Sequence, residues 1–224
     1  FFDTLKHEHL REFVRRRVRD GVLTRLIGKW LKAGVLEDGQ IRTNEKGTPQ
    51  GGVISPLLAN IYLHEVLDRW YVEMVRPCLK GRSFLIRYAD DFVMGFELRE
   101  DADRVQAVLP KRFGRYGLEI HAEKTRLVDF RRPRSPDVTK EQPSGTLDFL
   151  GFTHYWGKNR KGSYSLKHKT AKGRLKRALC AINCWCRENR HQSLRKQWKV
   201  LGMKLRGHFA YYGISTNFRQ LQKF

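Results

Sequence analysis

An α+β fold is predicted for these 224 residues, because apolar residues follow helical spacing in some stretches and strand spacing in others. Between residues 55 and 76 they recur every three to four positions, which predicts a helix that ends at Pro77. Between 83 and 96 they alternate on both sides of Asp90 and Asp91, which predicts a β-hairpin with the acids at its turn. Since 40% of the residues are hydrophobic and 12% are aromatic, the chain can bury the core of one large domain or two modest ones.

The same two spacings predict the remaining elements. Helices are predicted over residues 6–19, then to about 33, over 101–116, from about 170, from about 194 and from 218 onward. Strands are predicted near 118–120, 125–130, 147–153 and 164–166, with a long polar loop over 131–146. Trp185 and Trp198 fall on or beside apolar helical stripes, so we expect both to lie in the core between the last helices.

The charge of the chain points to a polyanionic partner. It has 45 Lys and Arg against 23 Asp and Glu, a net charge of +22 with a pI near 10.3. Because neutralising phosphates releases condensed counterions, a folded chain of this charge is expected to bind nucleic acid. A charged solubility surface or an anionic membrane is the alternative. No stretch has the roughly 20 apolar residues of a membrane span, and no signal sequence opens the chain. We therefore expect a soluble, cytoplasmic protein of bacterial type.

Asp90 and Asp91 are the strongest candidates for a metal site. Adjacent acids repel each other, and a tight turn gains nothing from them that Asn-Gly would not provide. Two divalent cations about 4 Å apart, held by carboxylate oxygens, can activate an attacking hydroxyl and stabilise a leaving oxygen in nucleotidyl transfer. The alternative is a polar turn with incidental charges.

Two further segments favour phosphate chemistry. Residues 47–52 read Gly-Thr-Pro-Gln-Gly-Gly, which gives the backbone freedom for close approach to a phosphate or base and adds the amide of Gln50. Lys124, in Glu-Lys-Thr ahead of a predicted strand, could protonate a leaving pyrophosphate or pair with a phosphate.

These segments stand in an order that resembles a known family. The blocks are Gly-Thr-Pro-Gln-Gly-Gly-Val-Ile-Ser-Pro at 47–56, Tyr-Ala-Asp-Asp at 88–91, Glu-Lys-Thr at 123–125, Phe-Leu-Gly-Phe at 149–152 and Leu-Arg-Gly-His-Phe-Ala-Tyr-Tyr-Gly-Ile at 205–214. Together they resemble the reverse transcriptases and maturases encoded by group II introns and their bacterial relatives. The last block is similar to the thumb and maturase segment of those proteins.

The resemblance implies a fold and an activity. The fold would be a right-hand polymerase palm, an antiparallel sheet with packed helices, over residues 1–167, followed by an α-helical thumb over 168–224. The activity would be RNA-directed DNA polymerisation with two Mg²⁺ ions, for which Mn²⁺ could substitute. The partners would be an RNA template with a DNA primer, dNTPs, and the intron RNA whose splicing a maturase assists.

The resemblance also implies a role for individual residues. Asp90 and Asp91 would bind the metal ions, and Lys124 would be a general acid or phosphate contact. Residues expected beside the incoming nucleotide or the primer end are Phe2, Gln50, Gly51, Tyr88 and Ala89. Residues expected to contact primer and template are Phe149, Leu150, Gly151, Lys172, Arg174, Lys176 and Arg177.

The remaining catalytic aspartate of the family would fall six positions before Asp3, upstream of this chain. The fingers and first palm block would also be absent and the thumb truncated, so we expect the 224 residues alone to be nearly inactive. One alternative function is a non-catalytic maturase that only binds intron RNA. Another is a reverse transcriptase of the retron, diversity-generating or defence type, which shares the acidic hairpin and Pro-Gln-Gly.

Overall fold

The computed structural model describes residues 6–32, 35–37, 40–42, 54–121, 123–133 and 145–224. Helices and small antiparallel sheets are mixed along these residues, which confirms the predicted α+β class. The chain divides into two compact units between Leu127 and Val128. We call the part before this division unit 1 and the part after it unit 2.

The described part of unit 1 consists of helices and two antiparallel hairpins. In chain order its elements are α1 (His7–Arg17), α2 (Gly21–Lys32), β1 (Val35–Glu37), β2 (Gln40–Arg42), α3 (Ser55–Leu63), β3 (Ser83–Tyr88), β4 (Asp91–Phe96) and α4 (Arg99–Arg115). Strand β1 pairs with β2, and β3 pairs with β4. The predicted hairpin over 83–96 is thereby confirmed.

Helical backbone continues beyond α3. It runs through two π-helical stretches, His64–Arg69 and Tyr71–Val75, and ends in a 3₁₀ turn, Arg76–Cys78. The predicted helix that ends near Pro77 is confirmed, but its second half is wound more widely than an α-helix. Such π-helical turns occur frequently at functional sites, because they change the direction in which side chains leave the helix.

The core of unit 1 lies between α1, α2, the α3 helix with its π-helical continuation, and α4. Its largest fully buried side chain is Tyr62, whose hydroxyl donates to the Tyr116 carbonyl at 2.7 Å. Burial raises the pKa of Tyr62 to about 12. Leu85, Phe92 and Met94 of the β3–β4 hairpin pack against the same cluster. The hairpin therefore rests on a rigid helical base.

The β3–β4 hairpin has one face toward this core and one face outward. Tyr88 pairs with Asp91 across a two-residue loop. Leu85 faces inward, whereas Phe84, Ile86 and Tyr88 on the opposite face are each more than half exposed. This alternation is the strand periodicity that the sequence predicted.

Two predicted strands are wrong. Residues 118–120 and 125–130 have no strand partner within the described part of the chain. Leu118 is fully buried in the helical core of unit 1, so the apolar residues there reflect packing against helices. At the end of the second segment, the Phe130 carbonyl accepts a hydrogen bond from Trp156 Nε1 at 2.9 Å. The backbone there is therefore hydrogen-bonded to a side chain and not to a neighbouring strand.

The described part of unit 2 contains a three-stranded antiparallel sheet followed by helices. Its elements are β5 (Leu147–Phe149), β6 (Phe152–Lys158), β7 (Tyr164–Thr170), α5 (Lys172–Asn189), α6 (Leu194–Tyr212), a 3₁₀ turn (Ser215–Asn217) and α7 (Phe218–Lys223). The sheet order is β5-β6-β7. The helices predicted after residue 146 are confirmed, and the strand predicted over 164–166 is confirmed with a longer extent. The single strand predicted over 147–153 is wrong, because a turn at Leu150 and Gly151 divides it into β5 and β6.

Asn217 joins the sheet of unit 2 to the end of α6. Its side chain is buried, and its Oδ1 accepts a hydrogen bond from the Thr170 backbone N–H at 2.7 Å. Its Nδ2 donates to Thr170 Oγ1 at 2.8 Å and to the Tyr212 carbonyl at 2.9 Å. One side chain thus satisfies the buried polar groups of Thr170 on β7 and links them to the end of α6.

The placement of Trp198 in the core is wrong. Trp198 and Leu194, one turn apart at the start of α6, are 81% and 83% exposed. Neither α5 nor α6 contains a fully buried side chain, so the described chain does not cover this end of the apolar stripe. Trp185 is partly buried, with the Lys204 ammonium 5.8 Å from its ring centroid. Among the described helices, none combines the length and apolar character needed to cross a membrane.

Acid is expected to weaken unit 2 through a histidine pair. His154 on β6 faces His168 on β7, with ring centroids 4.7 Å apart. Burial, and next the charge of His168, lower the pKa of His154 in the folded state. The unfolded chain therefore binds the proton more readily, and stability is lost as pH falls through the unfolded His pKa of about 6.5.

The urea concentration at which unit 2 is half unfolded should be lower at pH 5.5 than at pH 7.5. His154→Gln should make this pH dependence shallower, whereas the matched change of exposed His191 should leave it as it is. An equal slope in the wild-type and His154→Gln chains would contradict the assignment.

Candidate active site

The two acids predicted to bind metal lie at the tip of the β3–β4 hairpin. Tyr88 and Asp91 close the pairing, and Ala89 and Asp90 form the loop between them. We call residues 88–91 the acidic turn. Both carboxylates are exposed, and neither is hydrogen-bonded or ion-paired within the described residues. Their oxygens are therefore available to a ligand.

Ala89 gives the acidic turn an uncommon backbone conformation. Its φ is +53°, in the left-handed region that a residue with a Cβ rarely adopts. A positive φ at the first loop residue alone is the pattern of a type II′ turn, where glycine is usual. The turn must therefore be held in place by its surroundings.

Arg87, next to the acidic turn, supplies contacts that hold it. Its Nε and Nη2 donate to Asp68 Oδ1 and Oδ2, both at 2.7 Å. Its Nη1 donates to Asn60 Oδ1 and to the Ala89 carbonyl, both at 2.8 Å. Asn60 lies on α3 and Asp68 on the first π-helical stretch, where His64 Nδ1 is 3.3 Å from Asp68 Oδ2. The guanidinium group thus links the helix to the turn.

The donor set of the acidic turn suits Mg²⁺ in type. Hard divalent cations prefer carboxylate oxygens, and these two side chains have no competing cationic partner among the described residues. Two adjacent carboxylates are a partial set, and the described residues hold no cluster of three His, Cys, Asp or Glu side chains suited to a metal ion. The residues present therefore fit part of a magnesium site.

Lys124 lies in a turn near the end of unit 1. The backbone N–H groups of Lys124 and Thr125 both donate to the His121 carbonyl, at 3.1 and 3.0 Å. The Lys124 side chain is exposed. Within the described residues no hydrogen bond or ion pair joins it to the acidic turn, so its predicted role stays a prediction.

The predicted nucleotide-binding residues fall into two groups. Tyr88 and Ala89 belong to the acidic turn, and the Tyr88 side chain is 66% exposed on the outward face of the hairpin. Phe2, Gln50 and Gly51 lie outside the described residues.

Phe149, Leu150 and Gly151, predicted to contact the primer, form the tight turn between β5 and β6. Phe149 pairs with Phe152, and the loop residues Leu150 and Gly151 have φ values of +50° and +80°. Positive φ at both positions is typical of a type I′ hairpin turn, for which Gly151 is well suited.

The turn between β5 and β6 is fixed to the helices of unit 2. The Leu150 carbonyl accepts a hydrogen bond from the Tyr211 hydroxyl at 2.8 Å, and the Gly151 carbonyl accepts one from the Ala171 N–H at 2.9 Å. Phe152 stacks on Tyr211, with ring centroids 5.8 Å apart. Both loop carbonyls are therefore used within unit 2.

Comparison with known proteins decides the family. The sequence profile of the reverse transcriptase (RNA-dependent DNA polymerase) family matches residues 1–154, more than half of the chain. The chain belongs to the reverse transcriptase family.

Relatives of this chain include intron-encoded proteins. It is 47% identical over 73 residues to the group II intron-encoded protein LtrA of Lactococcus lactis, covering 33% of this chain and 12% of LtrA. It is 40% identical over 121 residues to protein YkfC of Escherichia coli, covering 42% of this chain and 31% of YkfC. It is 26% identical over 192 residues to an uncharacterized 91 kDa protein in the cob intron of Schizosaccharomyces pombe, covering 83% of this chain and 20% of that protein.

These matches confirm the resemblance to group II intron reverse transcriptases and maturases. The chain spans about a third or less of the length of each of these relatives.

The positive charge of the chain is concentrated in unit 2. Unit 2 has 22 Lys and Arg against 5 Asp and Glu, a net charge of +17, whereas unit 1 has 23 against 18, a net charge of +5. A surface of this charge attracts a polyanion strongly.

The predicted template contacts open helix α5. Lys172, Arg174, Lys176 and Arg177 are all exposed, and the first turn of α5 contains no acid. Cations at a helix N-terminus oppose the helix dipole, which favours negative charge there. A bound phosphate would relieve this unfavourable placement.

Sequence reasoning missed Arg87, Asp68 and Asn60. One signal was available, because the alternation of β3 puts position 87 on the same inward face as Leu85. A charged residue at an inward position needs a partner. The identity of that partner depends on a contact between residues 19 positions apart, which local spacing does not show.

Proposed function

We propose that this chain contributes the catalytic turn and a nucleic-acid-binding surface to an RNA-directed DNA polymerase of a group II intron-type retroelement. The observation that carries the proposal is the acidic turn of a reverse transcriptase family member, with two exposed carboxylates that have no protein partner among the described residues. A tip held by the Arg87 contacts, with no competing cation in the described part of the chain, is a suitable position for metal ligands.

In this proposal Asp90 and Asp91 hold divalent cations beside the primer end. Mg²⁺ bound there, or Mn²⁺ in its place, supplies Lewis-acid activation of the primer hydroxyl and stabilisation of the leaving oxygen. Tyr88 and Ala89 lie next to these acids and face the incoming dNTP. Lys124 gives a proton to the leaving pyrophosphate or binds its charge.

The proposed domain organisation is a palm over residues 1–167 and a thumb over 168–224. Helices that rest against one face of the β3–β4 hairpin support the palm assignment, since the acidic turn then projects from a rigid base. The long helices α5 and α6 support the thumb assignment. In unit 2 the sheet is hydrogen-bonded to the end of α6 through Asn217, so the thumb helices are tied to the strands before them.

Polymerase activity is tested by dNTP incorporation on an RNA template with a DNA primer. The assay uses a protein that contains this chain. Incorporation should require Mg²⁺ or Mn²⁺ and should stop when the ions are chelated. Incorporation that continues at the same rate after chelation would contradict the proposal.

A second role, binding of structured intron RNA as a maturase, is favoured by the charge of unit 2. The four cations at the start of α5 present adjacent positive charge that can follow a phosphate backbone. RNA binding and polymerisation can coexist, because the cations and the acidic turn belong to different units.

RNA binding by these cations predicts a change in salt dependence. Replacing Lys172, Arg174, Lys176 and Arg177 by Gln should reduce the slope of log K against log [salt] by about 3, since each phosphate contact contributes roughly 0.7 to 0.9. Fluorescence anisotropy with labelled intron-type RNA between 50 and 300 mM salt measures the slope.

The matched control makes the same charge change on unit 1. Arg99, Arg104, Lys111 and Arg115 are exposed on α4, and their replacement by Gln removes four positive charges there. An equal loss of slope in both variants would show that overall charge, and not the α5 surface, binds the RNA.

A further inference from the structure

Arg87 has contacts unusual for a charged side chain in a β-strand. Its side chain is only 13% exposed, on the inward face of β3. Its guanidinium group contacts two side chains of the long helix, Asp68 and Asn60, and one backbone carbonyl, that of Ala89. We call this set of contacts the arginine clamp.

The clamp is rigid because of the shape of the guanidinium group. Nε and Nη2 form a two-pronged pair with the Asp68 carboxylate, which fixes the plane of the group. With that plane fixed, Nη1 points to Asn60 Oδ1 and the Ala89 carbonyl together. A lysine ammonium at this position could pair with Asp68, but it lacks the planar fork needed to make all of these contacts.

The contact with Ala89 falls at the strained residue of the turn. A φ of +53° at an alanine costs roughly 1–2 kcal/mol and persists when neighbouring groups fix it. Hydrogen bonding of the Ala89 carbonyl to Arg87 fixes the peptide that joins Ala89 to Asp90. The direction of this peptide sets where the two following carboxylates point.

We propose that Arg87 is a positioning residue of the polymerase site, acting through the Ala89 carbonyl on Asp90 and Asp91. The inference rests on the proposed function of the acidic turn. Asp68 on the helix fixes the position of the Arg87 guanidinium group. The guanidinium group in turn fixes the Ala89 carbonyl, and so the acidic turn that carries the metal ligands. The π-helical backbone at Asp68 contributes to this positioning, because it sets the direction in which the Asp68 carboxylate leaves the helix.

The first test is Arg87→Lys, which keeps the charge and the strand position. The three-bond coupling that reports the φ of Ala89 should shift toward the value of ordinary extended backbone. Primer extension in a protein that contains the chain should lose about 100-fold in kcat, because a displacement of about 1 Å at a reacting group has that effect. KM for template and primer should change less than twofold.

The matched control is Arg82→Lys. Arg82 precedes the same strand, pairs with Glu97 and is 92% exposed, with no contact to the acidic turn. In Arg82→Lys, both the three-bond coupling of Ala89 and the value of kcat should equal those of the wild-type chain. An effect of Arg82→Lys equal to that of Arg87→Lys would overturn the positioning role.

A second variant keeps the test decisive if Arg87→Lys does not fold. Asp68→Asn leaves Arg87 in place but removes the charge of the carboxylate that anchors it. We expect the Ala89 coupling to shift in the same direction as in Arg87→Lys, and kcat to fall about 10-fold. An unchanged Ala89 coupling and an unchanged kcat in a folded variant that has lost the Arg87 to Asp68 contact would overturn the proposal.

Failure of the clamp and failure of the proposed function have different signatures. The Ala89 coupling reports the clamp without catalysis, whereas Mn²⁺ binding at the acidic turn of the unchanged chain reports the metal site. If the Ala89 coupling shifts in Arg87→Lys but the unchanged chain binds no Mn²⁺ at the acidic turn, the polymerase function is refuted and the clamp has only a structural role. Mn²⁺ binding with an unshifted coupling would refute only the clamp.

Discussion

Asp90→Asn is expected to lower Mg²⁺-dependent primer extension roughly a thousandfold in a protein that contains this chain. A bound divalent cation stabilises transition-state charge by several kcal/mol, and each 1.36 kcal/mol changes the rate tenfold. Asn keeps the size of the side chain and removes the charge that would hold the cation. Because the Asp90 side chain is exposed and unpaired within the described residues, the fold should not depend on it.

The control for this variant is Asp103→Asn, an exposed acid on α4. It makes the same chemical change away from the acidic turn and should retain the wild-type rate. RNA binding by the Asp90→Asn chain should also be unchanged. Full activity of Asp90→Asn would contradict the polymerase function and favour a maturase that only binds RNA.

Asn217→Ala is expected to destabilise unit 2 by about 3 kcal/mol. The change removes three hydrogen bonds and leaves the Thr170 N–H without its partner in a buried position. Hydrogen exchange at the Thr170 amide, together with urea unfolding of the chain, measures the loss.

Two further variants test the explanation for Asn217. Asn217→Asp keeps an acceptor for the Thr170 N–H but loses the amide donor to Tyr212, so it should also be destabilised. Asn183→Ala replaces an exposed asparagine on α5 and should change the unfolding free energy by less than about 0.5 kcal/mol. Equal stability of the Asn217→Ala and Asn183→Ala chains would show that the buried hydrogen bonds contribute little.

The sequence predicted the elements whose signal is local. Alternating apolar residues on both sides of Asp90 and Asp91 predicted the hairpin and the position of the acids at its tip. The helix that ends near Pro77 follows in the same way from its spacing, although the spacing did not reveal the π-helical turns within it.

Contacts between distant residues could not be predicted in this way. Arg87 and Asp68 come together only after β3 packs on the helix, and Asn217 meets Thr170 across 47 positions. For Trp198 the sequence predicted packing that the structure does not have: its position on an apolar stripe predicted burial, and the side chain is exposed. A stripe indicates which face of a helix can pack, and the neighbouring elements determine how far along the helix packing extends.

Paramagnetic relaxation by Mn²⁺ tests the metal site at the acidic turn most directly. With a ¹⁵N-labelled chain and substoichiometric Mn²⁺, the amide signals of residues 88–92 should broaden first, and chains carrying Asp90→Asn with Asp91→Asn should lose this effect. Asp103→Asn should not alter it. Broadening that is centred elsewhere, or that persists at the turn when both acids are replaced, would contradict the assignment of Asp90 and Asp91 as the metal ligands.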